Sequence, residues 1–212
     1  FNAKAFESRG TPNSGNVAIS VANSWNLVGN PYQAWISWGA LNKPTLQNTY
    51  YIYNTNTGNF DAKTSGSIPP HQGFWVESVG SGTLTFSESS KLYVSSSTFW
   101  RTAGEETTYP SIDDEDFMNI GEESYMFSEV KLKVYSDINS YSHELKLRGN
   151  NLASINHDYH DATFLPSRVY EAPSIYSYSA NNNKKLVINS FNHQREVILP
   201  IAIEVGISGK YI

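Results

Sequence analysis

The chain has 212 residues and a formal net charge of −5; aromatic side chains make up 14% of it and charged ones only 17%. Because a nucleic-acid surface needs clustered Lys and Arg, the 15 scattered basic residues argue against a nucleic-acid partner. The absence of Cys excludes a disulfide framework and a thiolate metal site. No apolar run reaches the roughly 20 residues of a membrane helix, so we expect no transmembrane segment.

Alternating apolar residues predict short β-strands in the first half. Residues 17–21 alternate as a half-buried strand does, and residues 50–60 have the strand, turn and return strand of a hairpin. Residues 24–38 predict a buried strand that runs into a sharp Asn-Pro turn. In residues 67–77 two prolines and a glycine precede an aromatic strand, and residues 82–86 add another.

The second half predicts an antiparallel sheet of its own. Residues 130–135 and 144–148 alternate cleanly around a turn and predict a second hairpin. Further strand-like segments follow at short spacing, which is the rhythm of a sandwich; they are residues 174–178, 184–189 and 196–203. No stretch sustains the 3.6-residue apolar period of a helix. The sequence therefore predicts an all-β fold.

The domain organisation is predicted from tryptophan and charge. All five Trp lie in the first hundred residues, so we expect two separate cores. We predict two tandem antiparallel β-sandwich domains, jelly-roll or immunoglobulin-like, at residues 1–98 and 126–212, joined by an acidic linker at 99–125. Since Phe1 is not Met and the last residues have a mid-strand pattern, we expect the first module to be incomplete at its N-terminus and the second at its C-terminus.

The linker carries eight of the twenty acidic residues within residues 105–123. Like charges at that density repel one another and stay solvated, so an exposed loop is favoured. A calcium loop is the alternative, with Asp113, Asp114 and Asp116 as oxygen ligands. The spacing and the central Gly of an EF-hand loop are absent there, which makes calcium the weaker interpretation.

A second titratable cluster spans residues 157–161 and contains two His and two Asp. Histidine and aspartate could hold a divalent metal or act as a general base. On a strand, however, residues 157 and 160 point to opposite faces. Because Asp in turns commonly binds its own backbone, Asp158 and Asp161 are predicted to lock turns rather than to bind metal.

An enzymatic role is not predicted. Ser is abundant, but no Gly-x-Ser-x-Gly elbow is present. The first half has few acidic residues before the linker, so the facing pair of carboxylates that glycoside hydrolysis needs is hard to build there. Aromatic side chains could instead stack on sugars, and Trp35, Tyr53 and Trp75 are the candidate ligand-binding residues. A core position is the favoured interpretation for aromatic residues on strands.

The ordered motifs resemble a family. Residues 25–38, 51–60 and 68–76, with a second series from Asp158 to Tyr211, resemble a region of large secreted Bacteroidetes proteins that the type IX secretion system exports. In those proteins the region lies upstream of the C-terminal sorting domain. The resemblance covers nearly the whole chain except the acidic insert at 104–123. It implies a β-sandwich module that is secreted or lies at the cell surface outside the outer membrane.

Three functions are therefore considered. The first is a non-catalytic structural or adhesive module whose partners are neighbouring domains of the parent chain and components of the cell surface. The second is a carbohydrate-binding module attached to a secreted polysaccharide-degrading enzyme, with extracellular polysaccharide as its ligand. The third is a subunit of an extracellular filament. No cofactor is expected apart from the weak calcium alternative.

Overall fold

The computed structural model describes residues 10–93, 128–192 and 196–212. These residues form an all-β protein, as predicted, with one short 3-10 turn at Glu88–Ser90 and no α-helix. The strands in chain order are β1 (Val17–Val21), β2 (Ser24–Gly29), β3 (Trp35–Ser37), β4 (Leu46–Asn54), β5 (Asn59–Lys63), β6 (Ser67–Ile68), β7 (Gly73–Ser78), β8 (Gly82–Phe86), β9 (Lys91–Leu92), β10 (Ser128–Tyr135), β11 (Ser142–Gly149), β12 (Ala162–Thr163), β13 (Ser174–Tyr178), β14 (Lys185–Phe191) and β15 (Ile201–Glu204).

The chain divides into two compact units. Among the described residues, the first unit holds 10–46 and 63–93, and the second holds 47–62, 128–192 and 196–212. The predicted boundaries at 98 and 126 group residues 47–62 with the first module, whereas the structure groups them with the second unit. The predicted linker at 99–125 lies outside the described residues.

Antiparallel pairs build the first unit. Strand β1 pairs with β8, and β2 pairs with β7 along its whole length. The short strand β3 pairs with both β6 and β9. The alternation that predicted β1, β7 and β8 is the local signature of strands with one buried face, so their positions follow from the sequence.

Aromatic rings fill the core of the first unit. Trp38 and Phe74 meet edge to face with ring centroids 6.1 Å apart, and Tyr32 meets Phe86 at 6.5 Å. Tyr32 is fully buried, and its hydroxyl lies 2.8 Å from the Phe86 carbonyl oxygen and 2.7 Å from that of Gly15. A buried tyrosine hydroxyl needs such a partner. The Tyr32 ring therefore fills the core, and its hydroxyl joins the segments of Gly15 and Phe86.

The second unit contains a sheet with the strand order β10-β11-β14-β13-β15, and β12 pairs with β14 off this path. The predicted hairpin of β10 and β11 is confirmed, with Leu132 opposite Leu145. Strands β11 and β14 run parallel, and the other pairs of this sheet are antiparallel. Val134, Leu145 and Ile175 are buried together at one side of this sheet.

Two polar side chains of the β4–β5 hairpin bind later segments of the second unit. The Tyr51 hydroxyl donates to the Thr163 carbonyl oxygen at 2.7 Å. The Asn59 side-chain nitrogen donates to the carbonyl oxygens of Ser142 and Pro173, both at 3.0 Å. Tyr51 and Asn59 are both 1% exposed, so these bonds lie away from water. Their partners lie at the start of β11, in β12 and in the segment before β13.

Candidate functional site

The candidate site is the outward side of the β2–β7 pair. The register places Trp25 opposite Glu77 and Leu27 opposite Trp75. Directly opposed residues of an antiparallel pair project to the same side of the sheet. These four side chains therefore share one side, which we call the Trp25–Trp75 face. Leu27 is 62% exposed, and the other three are half-buried.

The opposite side of the same two strands belongs to the core. Val28, Phe74 and Val76 alternate with the residues of the Trp25–Trp75 face, and each is at most 7% exposed. A strand with one buried side holds its register, because a slip of one residue would turn these apolar groups to water. The core residues thus fix the spacing of the two indole rings.

A side-chain clamp shapes the start of β2. The Asn26 amide nitrogen donates to the carbonyl oxygens of Ala22 and Ser24, and its oxygen accepts from the Ala22 N–H, all at 2.9 Å. Ser24 has a positive φ of 88°, which a non-glycine residue rarely adopts. The clamp holds this bend, and Trp25 follows it at once.

A second clamp closes the other end of β2. The buried Asn30 donates to the carbonyl oxygens of Ala34 at 2.8 Å and Pro69 at 2.9 Å, and accepts from the Tyr32 N–H at 3.0 Å. Buried backbone carbonyls need such donors. The Asn-Pro turn of the sequence is therefore an anchoring point for the segment before β7.

The structure places the three predicted ligand residues in different surroundings. Trp35 is buried, at 9% exposure, and so has no open ring face for a sugar. Tyr53 is half-buried and meets Phe60 edge to face at 5.3 Å. Trp75 alone among the three lies on the Trp25–Trp75 face. Trp35 is buried because it begins a strand that pairs on both sides.

Trp25 and Leu27 are members of the face that the sequence interpretation missed. The sequence predicts a buried strand within residues 24–38 and so places Trp25 in a core, because an aromatic strand beside a specified turn commonly lies there. The signal that could have found it is the two-residue period of a strand: Trp25 and Leu27 share one side of β2, and the buried Val28 lies on the other. Alternation separates the two sides of a strand but does not tell which side faces water.

Asp158 and Asp161 form a bonded turn. The carboxylate of Asp161 accepts from the N–H of Ser190 at 2.8 Å and of Asp158 at 2.9 Å. The carboxylate of Asp158 accepts from the N–H groups of Ser154 and His160, both at 2.8 Å. These bonds are those of turn-locking aspartates. They attach the segment before β12 to β14.

Burial shifts the pKa values of two groups in the second unit. It raises the pKa of Asp161 to about 6, against the opposite effect of the N–H bonds from Ser190 and Asp158. It lowers the pKa of His143 to about 4. The Nδ1 atom of His143 accepts from the Ile175 N–H at 2.9 Å, so this nitrogen carries no proton. Neither group faces an open cleft, since both are at most 5% exposed.

The metal candidates are divided between described and undescribed segments. Asp113, Asp114 and Asp116, the weak calcium ligands, lie outside the described residues. Across residues 10–93, 128–192 and 196–212 no three His, Asp or Glu side chains come close enough to hold a metal ion. Asp158 and Asp161 lie in that part of the chain, and both carboxylates bind backbone N–H groups.

Within the part of the chain that the structure describes, no helix is long and apolar enough to cross a membrane. Comparison with protein-family models, with curated proteins and with solved structures found no match.

Proposed function

We propose that this chain is a non-catalytic structural and adhesive module of a secreted or cell-surface protein. In this proposal the all-β architecture is that of two β-sandwiches in tandem, jelly-roll or immunoglobulin-like, antiparallel apart from the β11–β14 pair. One observation carries the non-catalytic part: the buried polar side chains hold backbone segments together. An active site instead aims such groups at an open cleft where substrate binds.

Three residues illustrate this use of polar groups. Asn30, Asn59 and Asp161 are at most 3% exposed, and each one binds main-chain atoms of a segment at least 29 positions away. A buried polar group stabilises a fold when it is hydrogen-bonded and costs free energy when it is not. These side chains therefore serve rigidity. Rigidity is what a stalk or adhesive module needs in order to present its surface loops.

The extracellular part of the proposal rests on the sequence resemblance to type IX secretion cargo. The absence of Cys is compatible with it, since a module of this size can bury a core without disulfides. The partners in this proposal are neighbouring domains of the parent chain and cell-surface components. Secretion would depend on a sorting domain, which the resemblance places after this region.

The experiment combines turnover and adhesion assays on the full chain. Purified protein is incubated with chromogenic glycosides, esters and peptides, and in parallel is coupled to beads that are offered cell-surface and polysaccharide coatings. We expect retention on a coating and no turnover. Turnover that disappears in Asp158→Asn, with an unchanged melting temperature, would overturn the proposal. Retention equal to that of albumin-coated beads on every surface would also overturn the adhesive part.

Carbohydrate binding is the second candidate, and the Trp25–Trp75 face favours it. Two indole rings, an exposed leucine and a carboxylate share one side of the β2–β7 strand pair. A pyranose has an apolar C–H side and a polar hydroxyl rim, so rings with a nearby carboxylate match both parts. Trp75 lies diagonally from Trp25, and such neighbours are about 7–8 Å apart.

A fluorescence titration with a polysaccharide panel tests this candidate. Trp75→Ala is expected to weaken binding at least tenfold, which corresponds to about 1.4 kcal/mol. Tyr93→Ala is the matched control, because Tyr93 is an aromatic residue with 97% exposure that lies on another segment. Equal affinities of the two variants, or no fluorescence change in the unaltered protein, would exclude the sugar-binding candidate.

A further inference from the structure

Strand β15 is an exposed apolar edge. It is the last strand in the order β10-β11-β14-β13-β15, and β13 is its hydrogen-bonded neighbour among the described residues. Ile201 and Ile203 on this strand are 44% and 56% exposed, and Val205 just after it is 47% exposed. Residues two apart project to the same side of a sheet, so these three side chains form one apolar row.

The hydrogen-bond register shows which backbone groups of β15 point away from the sheet. The Tyr178 N–H donates to the Pro200 carbonyl oxygen. In an antiparallel pair the inward-pointing residues alternate with outward-pointing ones. The carbonyl group of Pro200 points towards β13. The N–H and C=O groups of Ile201, Ile203 and Val205 therefore point to the open edge. The same residues thus offer both main-chain hydrogen bonds and apolar side chains.

The opposite edge of the sheet, strand β10, is protected. The final residues pair with its end: the Tyr135 N–H donates to the Ile212 carbonyl oxygen at 2.8 Å, and the Ile212 N–H donates to the Tyr135 carbonyl oxygen at 3.0 Å. Strand β10 also carries exposed Lys131 and Lys133. Lysine on an edge strand is a common means of preventing sheet-to-sheet pairing. The described segment of β15 carries no lysine.

We propose that β15 pairs antiparallel with β15 of a second copy of this chain, across a two-fold axis at Ile203. An open strand edge can bind an extended strand, because its row of N–H and C=O groups forms main-chain hydrogen bonds with that strand. Closed two-fold dimers are the commonest assemblies, and their interface must be complementary to itself. The pairing of β15 with its own copy is complementary in this way when Ile203 lies on the axis.

With Ile203 on the axis, each Ile203 lies opposite its counterpart, and Ile201 lies opposite Val205 of the partner subunit. All three outward-pointing residues then form hydrogen-bonded pairs, and the apolar row continues across the axis. A shift that places Glu204 on the axis would set two carboxylates directly opposite each other, which destabilises a sheet. A shift that places Ala202 on the axis would bring Pro200 into the paired segment, and Pro is unfavourable inside a paired strand.

The one charged residue of β15, Glu204, does not face the apolar row of the second copy. Glu204 accepts from the Tyr176 hydroxyl and forms an ion pair with Lys185 at 2.7 Å. The register places Ala202 opposite Tyr176, so Glu204 projects to the side of the sheet away from the isoleucine row. In the proposed dimer Glu204 faces Ala202 of the partner subunit. The row of Ile201, Ile203 and Val205 therefore contacts only the same row of the second copy.

The absence of Cys from the chain allows a direct test by disulfide trapping in the full-length protein. Hydrogen-bonded antiparallel pairs have Cα atoms about 5.5 Å apart, which a disulfide can span. Ile203→Cys is expected to form a covalent dimer under mild oxidation. Leu152→Cys is the matched control, because Leu152 has 67% exposure and lies on a turn outside the sheet. We expect at least a tenfold slower dimerisation of this control.

A second pair of variants tests the unmodified assembly by light scattering. The unaltered chain is expected to have twice the mass of one chain at high concentration. Ile203→Lys should have the mass of one chain, because it sets two lysines opposite each other, whereas Leu152→Lys should remain dimeric. A monomer at all concentrations, equal trapping of the two Cys variants, or faster trapping of Ala202→Cys would overturn the proposal. Growth beyond a dimer would overturn it in favour of an open filament.

Discussion

The Asn59 side-chain nitrogen donates to the main-chain oxygen of Ser142, 83 positions later in the chain, at a distance of 3.0 Å. The same nitrogen donates to the Pro173 carbonyl oxygen at 3.0 Å. One amide group therefore joins the β4–β5 turn to the start of β11 and to the segment before β13. All three segments belong to the second unit. Asn59 thus connects a segment from the first third of the chain to segments near residues 142 and 173.

Asn59→Ala is expected to destabilise the second unit by about 2–3 kcal/mol, because two buried carbonyl oxygens lose their donor. The measurement is the free energy of unfolding from urea titration, followed by tyrosine-sensitive near-UV dichroism. Asn156→Ala is the control, since Asn156 is exposed and its change should cost less than about 0.5 kcal/mol. Equal losses in the two variants would contradict the structural role of Asn59.

A fragment of residues 126–212 is expected to be unfolded by itself. It lacks the β4–β5 hairpin, and with it Tyr51 and Asn59, whose side chains bind Thr163 and Ser142. Full-length protein cleaved at a protease site engineered near residue 110 should remain one particle, because the hairpin stays bound to the later strands. Size-exclusion chromatography and amide proton dispersion measure both outcomes. A well-dispersed spectrum from the isolated fragment would instead support the boundary predicted from sequence.

The strands were largely predictable, because alternation is a local property with a period of two residues. The β10–β11 hairpin illustrates this, since its apolar residues alternate in the segments that pair. The partners of Asn59 were not predictable, because nothing near residue 59 specifies a carbonyl group 83 positions away. Trp25 and Trp35 show the same limit. Each lies on a strand, but which side of that strand is buried depends on distant segments.

Two buried titratable groups of the second unit, His143 and Asp161, have opposite effects on stability. His143 has its pKa lowered from 6.5 to about 4, so its contribution is present above pH 6.5 and is lost as the pH falls towards 4. Asp161 has its pKa raised from 3.8 to about 6, so its contribution is present below pH 3.8 and is lost as the pH rises through 6. Each contribution is at most about 3 kcal/mol. Between pH 4 and 6 the two trends oppose each other.

Single variants should therefore separate the opposing pH dependences of these two groups. In Asp161→Asn the free energy of unfolding should fall by about 3 kcal/mol as the pH falls from 6.5 to 4, because Asp161 no longer opposes the His143 effect. In His143→Asn it should rise over the same range. The measurement is a series of urea titrations at half-unit pH steps. Parallel curves for the two variants would show that neither group is linked to folding as described.

The close approach of Gly206 to the Tyr170 backbone gives the last prediction. A Cβ at position 206 would overlap the Tyr170 carbonyl oxygen, which belongs to the backbone and cannot rotate away as a side chain can. Gly206→Ala should therefore destabilise the second unit by about 1–3 kcal/mol, the usual cost of overpacking. Gly80→Ala is the control, because no atom lies within 4 Å of an added Cβ there. Thermal melting of both variants gives the comparison, and a Gly206→Ala protein that melts at or above the temperature of Gly80→Ala would contradict the overlap.

Because Gly206 follows β15 closely, a loss of stability in Gly206→Ala should also slow the disulfide trapping through Ile203→Cys in the double variant.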